Sequence, residues 1–279
     1  MTKQGKFWSL EFVILKSFVS FNLAFVIYLA AVLSPALSYA SNDFSSKKTA
    51  LSPLCPPGQT ISPGEHLQYD VFWMGVPVGL GELWVKEKTM RNGRWCYHVM
   101  AVAETNDFLS KIYPVRDEVH SWIDAQDLQS LQFEKKVSEG RYKAHERVLY
   151  DSDRKQGHYV SIKNGSKKDF SVAVPVQDIL SAFYWARRQT LIPGKSVRTT
   201  VNSDEKDWDL EIHVLSRQNK FVRGLGDFDT LLIEPKTLLK GVLEKRGRVW
   251  INLENSPART PIFITFKTPF GPIVGVLKR

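Results

Sequence analysis

The chain has 279 residues, a formal net charge of +9, 43% hydrophobic residues and 12% aromatic residues. This length fits one large β domain or two small ones. No nucleic-acid-binding motif is present, which argues against DNA or RNA as a partner. The positive charge is compatible with contact to anionic lipid headgroups or other acidic polymers, but basic residues scattered through strands also form an ordinary solvated surface.

The first 40 residues have the order of residue types found in an export signal. Lys3, Lys6 and Lys16 are followed by an apolar stretch at 18–33, and Ser38-Tyr39-Ala40 forms a cleavage site of the small-x-small type. We therefore predict a cleaved signal peptide, residues 1–40, and export to the periplasm. The alternative is an uncleaved signal that tethers the protein to the inner membrane. Removing residues 1–40, which contain three Lys and one Glu, lowers the formal charge from +9 to +7.

Residues 41–62 are rich in Ser, Pro and Lys and predict a flexible lead-in. Cys55 lies in this segment, and Cys96, the other cysteine of the chain, lies in a predicted strand. In an oxidising compartment these two residues are expected to form a disulfide; two free thiols are the alternative.

From residue 64 onward the dominant hydrophobic period is two, which is typical of β-strands. Leu67, Tyr69, Val71 and Trp73 share one face of the first strand, the second strand extends through Val85, and an Asn-Gly turn precedes the third, Trp95–Ala103. Further strands are predicted at Arg116–Ile123, Leu128–Val137, Tyr142–Tyr150, His158–Lys163, Asp169–Val174, Ser196–Asn202, Trp208–Leu215, Phe228–Glu234, Val242–Leu253, Pro261–Lys267 and Pro272–Leu277. The predicted fold is all-β, with residues 63–279 forming a single antiparallel curled sheet or β-barrel-like domain of about a dozen strands.

Two segments depart from the strand period. Asn106–Ile112 predicts one helical turn, and Val176–Gln189 has apolar residues at helical spacing, with Asp178 near its start. We expect this amphipathic helix to bury its apolar stripe against the concave side, or one open end, of the curled sheet.

The signatures of common enzymes are absent from the sequence. We find no Gly-x-Ser-x-Gly elbow, no phosphate-binding loop and no zinc-binding helix, so we predict neither catalysis, nor a cofactor, nor a metal. Asp117 and Asp124 bracket one strand but are too far apart along it to act as a catalytic couple, and structural roles are expected. The histidines lie singly in strand-like segments and are interpreted as surface or hydrogen-bonded residues. They are His66, His98, His120, His145, His158 and His213.

Aromatic residues are spread over many strands and the helix. They predict either a ligand-binding cavity or a filled barrel interior. The candidate ligand-binding residues are Tyr69, Trp73, Trp84, Trp122, Phe183, Tyr184 and Trp250.

Several motifs occur in a specific order. Gly64-Glu65-x-Leu67-x-Tyr69-x-Val71-x-Trp73-x-Gly75 opens the domain, Val176-Gln177-Asp178-Ile179-Leu180-Ser181-Ala182-Phe183-Tyr184 marks the helix, and Gly247-x-Val249-Trp250 follows near the end. Together they resemble a family of exported proteins from Gram-negative bacteria that is catalogued as a domain of unknown function. The resemblance extends from Gly64 to Leu277. It implies a periplasmic, β-barrel-like domain with an inserted helix and implies no activity.

Two functions are compatible with these observations. The first is a periplasmic protein that binds or carries a hydrophobic or amphipathic, lipid-like molecule of the cell envelope, with possible peripheral membrane contact. The alternative is a non-enzymatic envelope-integrity or assembly protein that contacts envelope proteins or peptidoglycan. A hollow interior favours the first function, and a solid interior favours the second.

Overall fold

The structure is a computed structural model that describes residues 61–91, 93–237, 248–268 and 270–278. Within these residues it contains fourteen strands and two helices. The helices are α1 (Asp107–Ser110) and α2 (Ile179–Arg187). The strands are β1 (His66–Trp73), β2 (Val76–Arg91), β3 (Arg94–Thr105), β4 (Arg116–Asp124), β5 (Ser130–Glu139), β6 (Tyr142–Asp151), β7 (Gln156–Ser161), β8 (Lys167–Ser171), β9 (Ser196–Ser203), β10 (Lys206–Val222), β11 (Gly226–Thr237), β12 (Arg248–Glu254), β13 (Pro261–Thr268) and β14 (Gly271–Leu277).

All of these strands belong to one antiparallel sheet. Its order is β8-β7-β6-β5-β4-β3-β2-β1-β14-β13-β12-β11-β10-β9. Consecutive strands pair with each other within β1–β8 and within β9–β14, and the pairing of β1 with β14 joins these two halves. The edges are β8 and β9, which are the strands on either side of α2. The sheet is curled but not closed, which confirms the predicted all-β fold with one inserted amphipathic helix.

The face of each strand that turns inward is set by the alternation seen in the sequence. In β1 the buried residues are Leu67, Tyr69, Val71 and Trp73, and the residues between them are partly exposed. Leu67 lies opposite Leu83 of β2, and both belong to the cluster that surrounds Tyr184 of α2. We call the face that packs on α2 the inner face and the opposite one the outer face.

Strand β10 is longer than the sequence pattern predicts. β10 continues past Leu215 to Val222, although residues 216–220 are all polar. Pairing with β11 continues along this segment after an irregularity between Val214 and Ser216. Cross-strand pairs such as Arg217 with Asp229 replace apolar contacts there. Polar strands of this kind carry no hydrophobic signal and are held by their neighbours.

Helix α2 packs against the inner face of the sheet and begins three residues later than its first predicted residue. Val176 and Gln177 are not helical because their carbonyls accept hydrogen bonds from the backbone N–H groups of Ser130 and Asn202, at 3.0 and 2.7 Å. Asp178 then caps the helix by accepting hydrogen bonds from the N–H groups of Leu180 and Ser181. The short segment before α2 is therefore hydrogen-bonded to both β5 and β9. These two bonds fix the position at which α2 begins.

The interior around α2 is filled by side chains. Leu180 and Tyr184 pack into one buried cluster with residues of β1–β4, and Ala182 and Ala186 pack into a second with residues of β9–β12. At the centre, Arg187 donates hydrogen bonds to both carboxylate oxygens of Glu65. This arrangement makes α2 a plug held by packing and by buried polar bonds.

Several predictions fall on residues 1–60, which lie outside the described residues. They are the signal peptide, almost all of the lead-in and Cys55. The last two residues of the predicted lead-in, Ile61 and Ser62, are buried. Cys96 is buried, and its Sγ lies 3.5 Å from the carbonyl oxygen of Thr89. The Cys55–Cys96 disulfide stays a prediction. Among the described residues, no helix has the length and apolar character needed to cross a membrane.

Candidate functional site

The seven aromatic residues predicted to bind a ligand do not line a common surface. Tyr69, Phe183 and Tyr184 lie together in the core around α2, and Trp73 lies in a separate inner cluster with Val71 and Leu109. The other three are on the outer face, because their neighbours Leu83, Ile123 and Ile251 point inward. These three are Trp84, Trp122 and Trp250. A ligand-binding role for any of the seven stays a prediction.

Two of the outer tryptophans lie in a patch that crosses five strands. In the sheet register, His66 lies opposite Trp84, Trp84 opposite Met100, Met100 opposite His120, and His120 opposite Glu134. A second row beside it pairs His98 with Trp122 and Trp122 with Gln132. We call this patch the His–Trp face. It consists of His66, Trp84, Lys86, Arg91, His98, Met100, His120, Trp122, Gln132 and Glu134.

Each tryptophan of this face lies next to an imidazole and a cation. Trp122 stacks on His98 with ring centroids 4.4 Å apart and an interplanar angle of 7°. The guanidinium of Arg91 lies 4.1 Å from the Trp122 ring centroid and donates a hydrogen bond to Gln132 at 3.0 Å. Cation–π contacts of this kind contribute about 0.5–2 kcal/mol, depending on how far they are desolvated. Arg91 is therefore held in place over the ring.

Trp84 repeats the same arrangement one row away. His66 stacks on it at 4.9 Å between ring centroids, and the ammonium group of Lys86 lies 5.0 Å from its ring centroid. The His–Trp face thus presents two indole rings accompanied by cations. An apolar surface next to fixed positive charge is what an amphipathic anion requires.

The two histidines at the centre are hydrogen-bonded to each other. Nε2 of His98 lies 3.0 Å from Nδ1 of His120, so one imidazole donates to the other. Burial, followed by the charges of His120, Lys86 and Arg91, lowers the pKa of His98 to about 4. Burial and the charge of Lys136 also lower the pKa of His120. Both rings are consequently neutral near pH 7.

His120 keeps one unused polar atom. Its Nε2 is buried and has no hydrogen-bond partner, and the nearest carboxylate oxygen, Oε2 of Glu118, is 3.7 Å away. The residue is only 8% exposed. If His98 donates to Nδ1, this Nε2 carries a hydrogen that points to no acceptor. A buried polar group without a partner costs about 1–3 kcal/mol, so a ligand that supplies the acceptor gains that energy.

Glu134, the carboxylate within the His–Trp face, is already hydrogen-bonded to residues of β6. Burial would raise the pKa of Glu134, but hydrogen bonds from His145 at 2.8 Å and Arg147 at 2.9 Å lower it overall. Its carboxylate is therefore paired with residues of β6. Three further carboxylates lie beside histidines of the face, with Glu82 3.1 Å from His66, Glu118 3.7 Å from His120 and Glu87 4.0 Å from His98. Lys86 and Arg91 are the cations that lie over the rings of Trp84 and Trp122. Among the described residues no three His, Cys, Asp or Glu side chains are grouped in a way that could hold a metal ion.

The pairing of His98 with His120 was missed from the sequence, where each histidine looked isolated. The two residues are brought together by the β3–β4 register, in which His98 lies opposite Trp122. That register cannot be counted from a tight turn, because α1 and the segment after it separate the two strands. The available signal was the outward phase of both histidines and of Trp122 in their strands.

Comparison with known proteins places the fold. A family model described as "Protein of unknown function (DUF3108)" matches residues 68–278. Among solved structures, the chain is similar to a β-barrel-like protein of domain of unknown function DUF1849 from Brucella abortus, with a TM-score of 0.52 and 10% sequence identity over 77% of this chain and 95% of that chain. At this identity the likeness shows the fold alone. No curated protein matches the chain.

Proposed function

We propose that this chain, which belongs to the DUF3108 family of proteins of unknown function, is exported to the periplasm. There it binds an acidic amphipathic molecule of the cell envelope. The protein acts by binding and not by catalysis. The molecule is held on the His–Trp face, with its anionic group near His120 and its apolar part against the aromatic surface.

The observation that carries this proposal is the unpartnered Nε2 of His120 beside fixed cations. The charges of Lys86 and Arg91 lower the pKa of His98, and that of Lys136 lowers the pKa of His120, whereas Glu134 and Glu118 act in the opposite direction at His120. In the tautomer in which His98 donates to Nδ1 of His120, a phosphate or carboxylate placed there accepts the Nε2 hydrogen of His120 and is attracted by Lys86 and Lys136. Hydrogen bonds to a charged group are worth about 1.5–3 kcal/mol.

Binding inside the curled sheet is less well supported. A ligand at the position of α2 would have to displace Tyr184 and Arg187, which are buried and bonded to Glu65. Removing one partner from a buried ion pair costs about 3–5 kcal/mol. The filled interior therefore favours a ligand on the outer surface of the sheet.

Export is proposed because residues 1–40 have the basic, apolar and small residues of a signal peptide in the expected order, and cell fractionation tests it. Fractionation of cells that express the full chain is expected to place the protein in the periplasm, and N-terminal sequencing is expected to begin at Ser41. Protein recovered with residues 1–40 intact from the inner membrane would show the tethered alternative. Recovery from the cytoplasm would contradict the proposal.

Binding is tested with two single-chain lipids that differ in headgroup charge. Purified mature protein is titrated with lysophosphatidylglycerol or lysophosphatidylcholine below their micelle concentrations, with tryptophan fluorescence as the readout. We expect tighter binding of the anionic lipid and a loss of about tenfold or more in affinity for His120→Phe. His158→Phe is the matched control, because His158 is a partly exposed histidine on β7 that contacts Asp169. Equal affinity for both lipids, or wild-type affinity of His120→Phe, would contradict the proposal.

A second function, an envelope-assembly protein that acts through protein contacts, is favoured by one observation, the filled interior around α2. It predicts that crosslinking in living cells recovers one specific envelope protein and that mature protein binds neither lysolipid. Lysolipid binding without a specific crosslinked partner would exclude it.

A further inference from the structure

Five large apolar side chains project from three neighbouring connections of the sheet. We call this surface the apolar tip. Its residues, with their exposed fractions, are Met74 (64%) and Val76 (54%) at the β1–β2 turn, Phe108 (70%) and Ile112 (46%) in and after α1, and Phe270 (44%) at the β13–β14 turn. Exposed apolar residues scattered singly are ordinary, but a contiguous group marks an interaction surface.

Backbone contacts establish that the three connections are contiguous. The N–H of Met74 donates to the carbonyl of Pro272 at 3.0 Å, and Nε1 of Trp73 donates to the carbonyl of Phe270 at 3.1 Å. These bonds join the β1–β2 turn to the β13–β14 turn. The side-chain amide of Asn106 donates to the carbonyl of Pro77 at 2.9 Å, which joins the start of α1 to β2.

The tip is supported from below. Leu109 of α1 is buried in a cluster with Trp73, Val78 and Ile273. Because Leu109 faces inward, its neighbour Phe108 is held outward. Asn106 caps α1 by accepting a hydrogen bond from the N–H of Leu109 at 2.9 Å. The exposure of the tip is therefore imposed by packing beneath it.

Exposed cations flank the apolar tip. Lys111 follows α1 directly, and Lys267 lies opposite Pro272 at the β13–β14 turn. Arg141 lies in the β5–β6 turn, which is fixed near α1 because the N–H of Gly140 donates to the carbonyl of Pro114 at 2.8 Å. On α1, Asp107 is the acidic residue. Three cations around an apolar projection complement a surface of anionic headgroups over acyl chains.

We propose that the apolar tip docks the protein on an anionic lipid bilayer, with Met74, Phe108 and Phe270 inserted below the headgroups and the flanking cations at headgroup level. The exposed cations Lys111, Arg141 and Lys267 around the apolar residues favour an anionic lipid surface over an apolar protein groove. This inference is independent of the His–Trp face and of any ligand bound there.

Vesicle flotation tests the proposal. Mature protein is mixed with vesicles of phosphatidylethanolamine that contain or lack phosphatidylglycerol. We expect flotation with the anionic vesicles, a weaker signal with the neutral ones, and reduced binding in high salt. The triple variant Met74→Ser/Phe108→Ser/Phe270→Ser should lose binding by at least tenfold, and Phe108→Ser alone should lose part of it.

The matched control is Met90→Ser/Phe221→Ser, since both residues are large, apolar and exposed (54% and 63%) but lie at the β2–β3 and β10–β11 turns. Urea unfolding verifies that each variant is folded. Absence of wild-type flotation, wild-type flotation of the triple variant, or equal loss in the control would overturn the proposal. So would a photocrosslinker at position 108 that recovers one specific protein in cells. Titration of the triple variant with lysophosphatidylglycerol separates the two proposals, because a loss at the tip leaves the His–Trp face intact.

Discussion

Glu65 and Arg187 form a bidentate ion pair inside the protein, with N–O distances of 2.7 and 2.8 Å. They are 2% and 1% exposed. Glu65 immediately precedes β1, and Arg187 is the last residue of α2, so the pair joins the entrance of the sheet to the end of the plug. The hydroxyl of Tyr184 also donates to Glu65, and Arg187 donates to the carbonyl of Ala258. The pair thus bonds the end of α2 to the segment before β1 and to the connection between β12 and β13.

Breaking the pair from one side should destabilise the fold more than replacing both charges. In Arg187→Met the Glu65 carboxylate stays buried without a cation, and we expect a loss of about 3–5 kcal/mol in the free energy of unfolding. In Glu65→Gln/Arg187→Met no unpaired charge remains, and the Gln side chain can still accept the Tyr184 hydrogen bond. The double variant should therefore be more stable than Arg187→Met in urea unfolding. Additive losses would show that the two charges are not coupled.

Asp178 anchors the other end of α2 through its two carboxylate oxygens. Oδ1 accepts from the N–H groups of Leu180 and Ser181, and Oδ2 accepts from the hydroxyls of Ser121 and Ser130. Asp178→Ala should cost about 3 kcal/mol, since it removes a helix cap and leaves buried hydroxyls without an acceptor. Asp178→Asn keeps one oxygen for the cap, and the hydroxyls can reorient toward its amide, so the loss should be smaller. Urea unfolding measures both, and equal losses would contradict this account.

A buried pair of carboxyl groups should make stability fall as the pH rises. Burial and the neighbouring Asp117 raise the pKa of Glu139 from 4.5 to about 8, and burial also raises the pKa of Asp117. Between pH 4.5 and 8 the unfolded chain releases the Glu139 proton while the folded protein retains it. The contribution of Glu139 to the free energy of unfolding is therefore fully present below pH 4.5, and an amount on the order of a few kcal/mol is lost by pH 8.

Glu139→Gln tests this origin of the pH dependence. The amide keeps the shape of the protonated side chain and does not ionise, so the variant should lose less stability between pH 5 and 8 than the wild type and should be the more stable protein at pH 8. Thermal unfolding at several pH values gives the comparison. Asp153→Asn, at an exposed turn between β6 and β7, is the control and should follow the wild type. A wild-type pH profile for Glu139→Gln would exclude Glu139 as the source.

The fold could be predicted because the inner face of the sheet is apolar along most strands. The alternation of Leu67, Tyr69, Val71 and Trp73 required a half-buried strand, and the residues of α2 repeated at helical spacing. The polar end of β10 could not be predicted, because its strand character comes from the register with β11. A hydrophobic period of two indicates a strand that is buried on one face, and it cannot identify a strand whose two faces are both polar.

The candidate site could be predicted only in part. Trp84 and Trp122 were identified from their residue type, but their association with His98 and His120 depends on strand register. The Glu65–Arg187 pair was also missed, because its members are 122 positions apart and no sequence pattern relates the segment before β1 to the end of α2. Charged residues in a sequence indicate solvent exposure, and only the folded chain reveals which of them are paired and buried.

The histidine pair should limit stability from the acid side. The pKa of His98 falls from 6.5 to about 4 in the folded protein. Below pH 6.5 the unfolded chain takes up a proton that folded His98 refuses, so stability declines as the pH falls from 6.5 toward 4. This slope is opposite to that of Glu139, and the two together predict greatest stability at mildly acidic pH. The His98→Gln variant should lose less stability than the wild type between pH 6.5 and 4, whereas His158→Gln should follow the wild type. NMR titration of His98 should show a midpoint near pH 4, and a midpoint near 6.5 would mean that the ring is open to solvent and that the stacked arrangement with Trp122 does not hold in solution.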